Sequence, residues 1–249
     1  MKPLKTLLAA AALAVSAGAY AVPTTVNGTN LQGVLNTVHA CATCTGSTNA
    51  TLDQSGASIF QIEAGGGSLN TLIIELAGFA GVNKFGIYDP FSGAKLELFN
   101  GAASAQSQAF VTTSVGVGGI NFIKNLVGAS ALFTSSTFGY YLDSSAAGPA
   151  GGLFYSEAGK NSNNDDHMIA YQGNGVDIIN IPPAPANFWG SNSFILAWED
   201  LAGLGDRDYA DMVVYATNIR DVPEPGSLAL LGLGLAGLAA ASRRKQKQA

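Results

Sequence analysis

Short β-rich runs separated by turn residues fill the middle of the chain, and they constrain its fold more than any other feature. The runs at 71–77 and 193–198 are apolar and β-branched or aromatic, whereas clusters of Gly, Ser and Asn lie between runs. This pattern predicts an all-β fold, a single jelly-roll-like β-sandwich. The predicted strands are 58–64, 71–77, 84–88, 95–99, 110–117, 137–142, 152–155, 167–171, 193–198 and 211–218.

The sequence divides into four predicted segments. They are a signal peptide at 1–21, a leader at 22–51, a β-sandwich domain at 52–220 and a sorting tail at 222–249. The leader either precedes the domain or supplies its first strand and loop, and its apolar residues at 31–38 predict a short helix or strand. The central part is long enough for one large domain with a sizeable core.

The N-terminus has the pattern of an export signal. Lys2 and Lys5 precede an uncharged run at 7–15, and Ala19-Tyr20-Ala21 follows as a small-x-small cleavage site. The apolar run is shorter than the roughly 20 residues that a membrane span needs. We therefore expect signal peptidase to cut after Ala21.

The C-terminus carries three features in a fixed order. Pro223, Glu224 and Pro225 come first, a Leu/Gly/Ala-rich segment at 226–241 follows, and a basic cluster ends the chain. The apolar segment predicts a transmembrane helix whose basic end stays in the cytoplasm. At 1.5 Å per residue it spans roughly 24 Å, less than the roughly 30 Å hydrocarbon core, so it anchors only marginally.

This tail resembles the PEP-CTERM sorting signal. The resemblance implies a transient stay in the inner membrane, cleavage near the motif by an exosortase-type protease, and release to the cell surface or the extracellular polysaccharide matrix. An ordinary tail anchor is the alternative. It explains the helix and the charges but not the Pro-Glu-Pro motif.

Processing at both ends changes the charge of the chain. It removes half of the 12 Lys and Arg residues, whereas all 17 Asp and Glu residues remain. Nucleic-acid binding depends on clusters of Lys and Arg, so this balance argues against a nucleic-acid partner. It favours divalent cations, or simple solubility outside the cell.

The chain has two cysteines, Cys41 and Cys44, with His39 just before them. Haem attachment needs a histidine directly after the second cysteine, where Thr45 stands, and a zinc site needs more ligands than these. In an oxidising compartment we expect a structural disulfide worth about 2 kcal/mol.

An acidic segment between two predicted strands is the strongest candidate site. It contains a single cation, Arg207, and five acidic residues: Glu199, Asp200, Asp206, Asp208 and Asp211. Two charges 4 Å apart interact by about 1 kcal/mol in water and about 4 kcal/mol at an effective dielectric of 20, so like charges this crowded need compensation. Calcium, which takes six to eight oxygen ligands, is the predicted cofactor, although the spacing is not that of an EF-hand. Alternatively, Arg207 pairs with some of the aspartates and the others cap turns.

A second acidic stretch contains Glu157, Asp165, Asp166 and His167. Together the two stretches resemble the domain-of-unknown-function family 4114 of bacterial surface and adhesin-like proteins. The matching pieces are residues 138–142, 155–157, 161–167, 197–201, 205–209 and 211–214. The resemblance implies an adhesin-type or matrix-type β-sandwich associated with calcium, and no known reaction. Glu157, Asp165 and Asp166 therefore join the predicted metal ligands.

Catalysis has little support in the sequence. His167 is the one histidine within the predicted domain, no Gly-x-Ser-x-Gly elbow occurs, and Gly65-Gly66-Gly67-Ser68 lacks the lysine of a phosphate loop and predicts a hairpin turn. We therefore expect a non-enzymatic binding module. The alternatives are a carbohydrate-active enzyme using Glu157 and Glu199 on extracellular polysaccharide, or a purely structural matrix component. Trp189, Tyr140 and Tyr155 are candidate ligand contacts, with core packing as the other interpretation.

Overall fold

The computed structural model describes residues 23–63, 66–75 and 78–222. Apart from short 3-10 helices, it contains one α-helix and fifteen strands in these residues. The bounds are α1 (Asn30–Val38), β1 (Ile59–Ile62), β2 (Ser68–Glu75), β3 (Lys84–Tyr88), β4 (Lys95–Phe99), β5 (Gln108–Gly116), β6 (Gly119–Lys124), β7 (Ser130–Phe133), β8 (Thr137–Asp143), β9 (Leu153–Tyr155), β10 (Met168–Gln172), β11 (Ile178–Ile179), β12 (Asn187–Phe188), β13 (Ser193–Trp198), β14 (Met212–Thr217) and β15 (Ile219–Asp221).

Two antiparallel sheets pack face to face. The first sheet has the order β15-β1-β8-β3-β4, with β9 also paired to β8, and the second has the order β10-β13-β14-β2-β5-β6-β7. Aromatic residues of the two sheets meet in the core: the ring centroids of Phe60 and Phe194 are 5.2 Å apart, and those of Phe85 and Trp198 are 5.9 Å apart. The predicted all-β fold is confirmed.

The second sheet is covered on its other face as well. Leu31, Val34, Leu35 and Val38 recur at helical spacing, which gives α1 one apolar face. These side chains form a second buried cluster with residues of β10, β13 and β14. Strand β13 is buried along its whole length because it lies between the two clusters, which explains its unbroken apolar sequence. The predicted leader thus contributes a helix to the packed protein, and a disulfide joins Cys41 and Cys44 just after it.

One expectation from the sequence needs correction, and one alternative left open by the sequence is decided. Strands β1 and β2 lie in different sheets, so the glycine-rich segment between them does not form a hairpin. Trp189 and Tyr140 are 3% and 0% exposed, so core packing, and not contact with a ligand, is the interpretation that holds for both. Tyr155 is half-buried at the outer face of the first sheet, where its ring lies 4.8 Å from that of Tyr88.

The predicted signal peptide and most of the predicted sorting tail, including Pro223, Glu224 and Pro225, lie outside the described residues. Within the part of the chain that the structure describes, no helix is long and apolar enough to cross a membrane.

Candidate metal centre

The acidic loop, residues 199–211, connects the neighbouring antiparallel strands β13 and β14. Trp198 pairs with Met212 in the ladder, so the two ends of the loop start side by side. The backbone N–H of Asp200 donates to Oδ2 of Asp211 at 2.9 Å. Strand pairing therefore brings together acidic residues that are 11 positions apart in the sequence.

The middle of the loop folds back over its own beginning. Gly203, Gly205, Arg207 and Tyr209 all have positive φ angles, a conformation that turns the chain sharply. At Gly205 a Cβ atom would lie 2.9 Å from Oε1 of Glu199, which is too close for any other residue without a shift. The turn at Gly205 thus packs closely against Leu201 and Glu199, and Asp206 and Asp208 follow it in the chain.

Five carboxylates consequently meet in two groups of three. We call Glu199, Asp200 and Asp211 the inner trio, and Glu199, Asp206 and Asp208 the outer trio. In each trio one oxygen from every residue lies within 4.8 Å of the others, which is close enough to hold a metal ion. Glu199 belongs to both trios. The inner trio is buried or half-buried, whereas Asp206 in the outer trio is exposed.

The negative charge of the loop has no cationic partner among the described residues. Glu199 is 0% exposed, and its Oε2 atom has no hydrogen-bond partner in the described chain. Burial first, and then the charge of Asp211, raise the pKa of Glu199, and burial likewise raises the pKa values of Asp200 and Asp211. The one salt bridge in the described residues joins Lys160 to Glu157, so Arg207, which is exposed, does not neutralise the loop.

Two residues that the sequence did not indicate extend the site. Asn83 donates from Nδ2 to Oδ2 of Asp200 at 2.9 Å, and it is 0% exposed with no partner for its Oδ1. Glu75, at the end of β2, has a buried Oε1 without a partner, and burial raises the pKa of Glu75 to about 7. The only signal for Glu75 was a carboxylate inside an apolar run. Asn83 gave no signal at all.

Comparison with known protein families finds matches for two parts of the chain, the one that contains the acidic loop and the C-terminal tail. Residues 129–218 match the family model described as a domain of unknown function (DUF4114), and residues 221–245 match the model of the PEP-CTERM protein-sorting motif. Over these residues the chain is similar to the DUF4114 and PEP-CTERM families. No curated protein and no solved structure matches it. The motif marks an exported protein that is anchored transiently in the membrane and processed by an exosortase.

The DUF4114 match contains both trios but not the whole sandwich. It begins near β7 and ends after β14, so β1 to β6 lie outside it. Glu75 and Asn83 lie in that outer part, on β2 and just before β3. The inner trio therefore receives neighbours from a part of the chain that the DUF4114 pattern does not describe.

The three remaining predicted ligands lie in neither trio. Glu157 accepts a hydrogen bond from the Tyr88 hydroxyl and pairs with Lys160 at 3.7 Å. Oδ2 of Asp166 accepts a hydrogen bond from the Thr24 hydroxyl at 2.6 Å. The backbone carbonyl of Asp165 accepts from the Asn161 side chain.

His167 has a structural position beside the metal centre. Its ring is buried and stacks on Phe154, with centroids 3.8 Å apart. Its Nδ1 lies 3.0 Å from the carbonyl oxygen of Glu199, and the N–H of Glu199 donates to the His167 carbonyl at 3.1 Å. The histidine thus fixes the backbone of Glu199 from two sides.

Proposed function

We propose that this exported protein is a calcium-binding module that acts in adhesion or in the surface matrix without catalysing a reaction. The observation that carries the proposal is Oε2 of Glu199, a fully buried oxygen with no partner in the described chain, next to four other carboxylates. An unpaired buried charge costs several kcal/mol, and a bound cation removes that cost.

The donor set fits calcium better than a softer metal. Both trios offer carboxylate oxygens alone, and hard cations such as calcium prefer oxygen ligands. The nearby histidine, His167, has its Nδ1 occupied by a backbone carbonyl. The two cysteines are joined to each other in a disulfide. Neither trio contains a cysteine sulfur or a histidine nitrogen.

A bound ion would fasten separate parts of the chain to one another. Asn30, the first residue of α1, donates to Oδ2 of Asp208 at 2.7 Å, and Asn27 donates to the Asp206 carbonyl at 2.9 Å. Asn83, in the segment before β3, donates a hydrogen bond to Asp200 in the same loop. Calcium at the loop would rigidify these junctions, as a binding surface in a matrix requires.

A thermal melt in calcium and in chelator tests calcium binding. A ligand at 100 times its Kd stabilises the native state by about 2.7 kcal/mol, so the melting temperature should rise with CaCl2. Glu199→Gln should abolish most of this rise. The control is Asp53→Asn, which removes one carboxylate at an exposed position outside both trios. Equal melting curves of the wild type in calcium and in chelator would refute the proposal.

The matrix role has a separate test. Co-sedimentation of the protein with extracellular polysaccharide should require calcium and should fail for Glu199→Gln. Polysaccharide binding that changes neither with calcium nor with Glu199→Gln would show that the matrix role does not depend on the ion.

A search for sugar released from extracellular polysaccharide tests the proposal that the protein is not an enzyme. The alternative glycosidase pair needs Glu157, whose carboxylate is engaged by Tyr88 and Lys160. We expect no reducing sugar from extracellular polysaccharide incubated with the protein. Sugar release that disappears in Glu157→Gln would establish the enzyme instead.

A further inference from the structure

We infer that Glu199 bridges two divalent cations, one in each trio. This inference rests on the proposed function and adds the number of ions and the division of the ligands between them. The two trios share Glu199 and no other residue. Asp200 and Asp211 stand at the ends of the strands, whereas Asp206 and Asp208 come from the folded-back middle of the loop.

The two oxygens of Glu199 suit a bridging role. Oε2 has no hydrogen-bond partner in the described chain, Oε1 has a long contact, 3.4 Å, from the N–H of Leu201, and the Glu199 side chain also interacts with that of Asp211. Both oxygens thus keep lone pairs for metal ions, and a carboxylate can bind a different cation with each oxygen.

Charge also favours two ions over one. Metal binding requires ionised ligands, and the five carboxylates then carry five negative charges, so a single divalent cation leaves three of them uncompensated, whereas two cations leave one. Arg207 forms no salt bridge within the described residues, so the protein does not supply the missing charge there.

The inner ion has further oxygen atoms within reach of its ligands. Oδ1 of Asn83 is buried and without a partner, and the Nδ2 of the same amide already touches Asp200. A half-turn of the amide exchanges the two atoms and places the oxygen beside Asp200. Glu75 Oε1 is also buried and without a partner, and the Glu75 side chain interacts with both Asn83 and Asp200.

The two ions should therefore differ in affinity. The inner trio is the more buried, so its carboxylates repel one another in a lower effective dielectric and gain more from a cation. The outer trio includes the exposed Asp206, where water screens the charge and completes the coordination. Calcium should fill the inner position first.

Equilibrium dialysis of the full chain against CaCl2 alone tests the inference. The wild type and the control Asp53→Asn should bind two ions per chain, with two distinct affinities. Asp208→Asn should remove the weaker ion only, and Asp211→Asn the tighter one only. Asn83→Ala should weaken the tighter ion on the order of tenfold and leave the other unchanged. Near-UV circular dichroism confirms that each variant is folded.

The outcomes separate this inference from the proposed function. One ion per chain, lost equally in Asp208→Asn and Asp211→Asn, would overturn the two-ion bridge while leaving a calcium site in place. No bound ion in the folded wild type would overturn both.

Discussion

At the scale of single residues, Glu199 decides how the protein behaves without an ion. Its carboxylate is buried with one oxygen unpartnered, so the ion-free protein bears the cost of that group. Glu199→Gln keeps the size and removes the charge. In chelator at pH 8 we expect this variant to be more stable than the wild type by about 1–3 kcal/mol, measured by urea unfolding. A less stable variant would contradict the account.

The pH dependence of the ion-free protein follows from the same cluster. Burial raises the pKa of Glu75 to about 7 and that of Asp211 to about 7, and it raises the pKa values of Glu199 and Asp200 as well. The folded state therefore binds more protons than the unfolded state, whose carboxyl pKa values lie near 4, and stability must fall as pH rises from about 5 to 8.

Melting temperatures measured in chelator across this pH range show whether stability falls as pH rises. Asp166, whose pKa burial also raises, acts in the same direction as the four, whereas His167 acts in the opposite direction because burial lowers its pKa, so one group stands against five. Saturating calcium should remove the fall, since the cation competes with the protons for the same oxygens. An ion-free protein that gains stability between pH 5 and 8 would show that these carboxyls are not buried together.

The sequence alone could predict the acidic loop, because its residues follow one another in the chain, but not the residues of the metal centre that come from distant segments. The density of carboxylates between two β-runs predicted the acidic loop and its five acidic residues. Asn83 was not predictable in this way, because it reaches Asp200 from 117 positions away through the packing of two sheets. Glu157 and Asp166 were placed with the loop by resemblance, yet each has a partner elsewhere.

At the scale of elements, α1 seals the outer face of the second sheet. Leu35 is 0% exposed among residues of β10, β13 and β14. Leu35→Ala should lower the free energy of unfolding by about 2–5 kcal/mol, because it leaves a cavity in that cluster. Leu52→Ala is the control, since Leu52 is 73% exposed and should change stability by less than about 0.5 kcal/mol. Urea unfolding measures both, and equal small effects would show that α1 is dispensable.

The bounds of a strand could be predicted from the sequence where its own apolar and β-branched or aromatic residues mark it. The predicted bounds of 84–88, 95–99 and 193–198 coincide with β3, β4 and β13. Strands β6 and β7 were missed, and their burial patterns show few fully buried positions, so their apolar content is a weaker signal. The hairpin expected between β1 and β2 failed because pairing depends on distant strands: β1 pairs with β8 and β15, and β2 with β5 and β14.

At the scale of the whole molecule, the PEP-CTERM motif governs where the folded domain ends up. Replacement of Pro223, Glu224 and Pro225 by alanine should leave the exosortase without its recognition sequence. We expect the variant to stay uncleaved in the membrane fraction, whereas the wild type loses its tail. Fractionation with intact mass measurement checks this, and Asp53→Asn serves as a control that keeps the motif. Normal cleavage of the alanine variant would contradict the assignment of the motif to sorting.

The most direct test of the metal centre is a crystal structure of the protein grown in calcium chloride. The account predicts ion density against Glu199, with oxygen ligands at about 2.3–2.6 Å drawn from Asp200, Asp206, Asp208 and Asp211. Carboxylates that face only water or the Arg207 guanidinium, with no ion between them in saturating calcium, would contradict it.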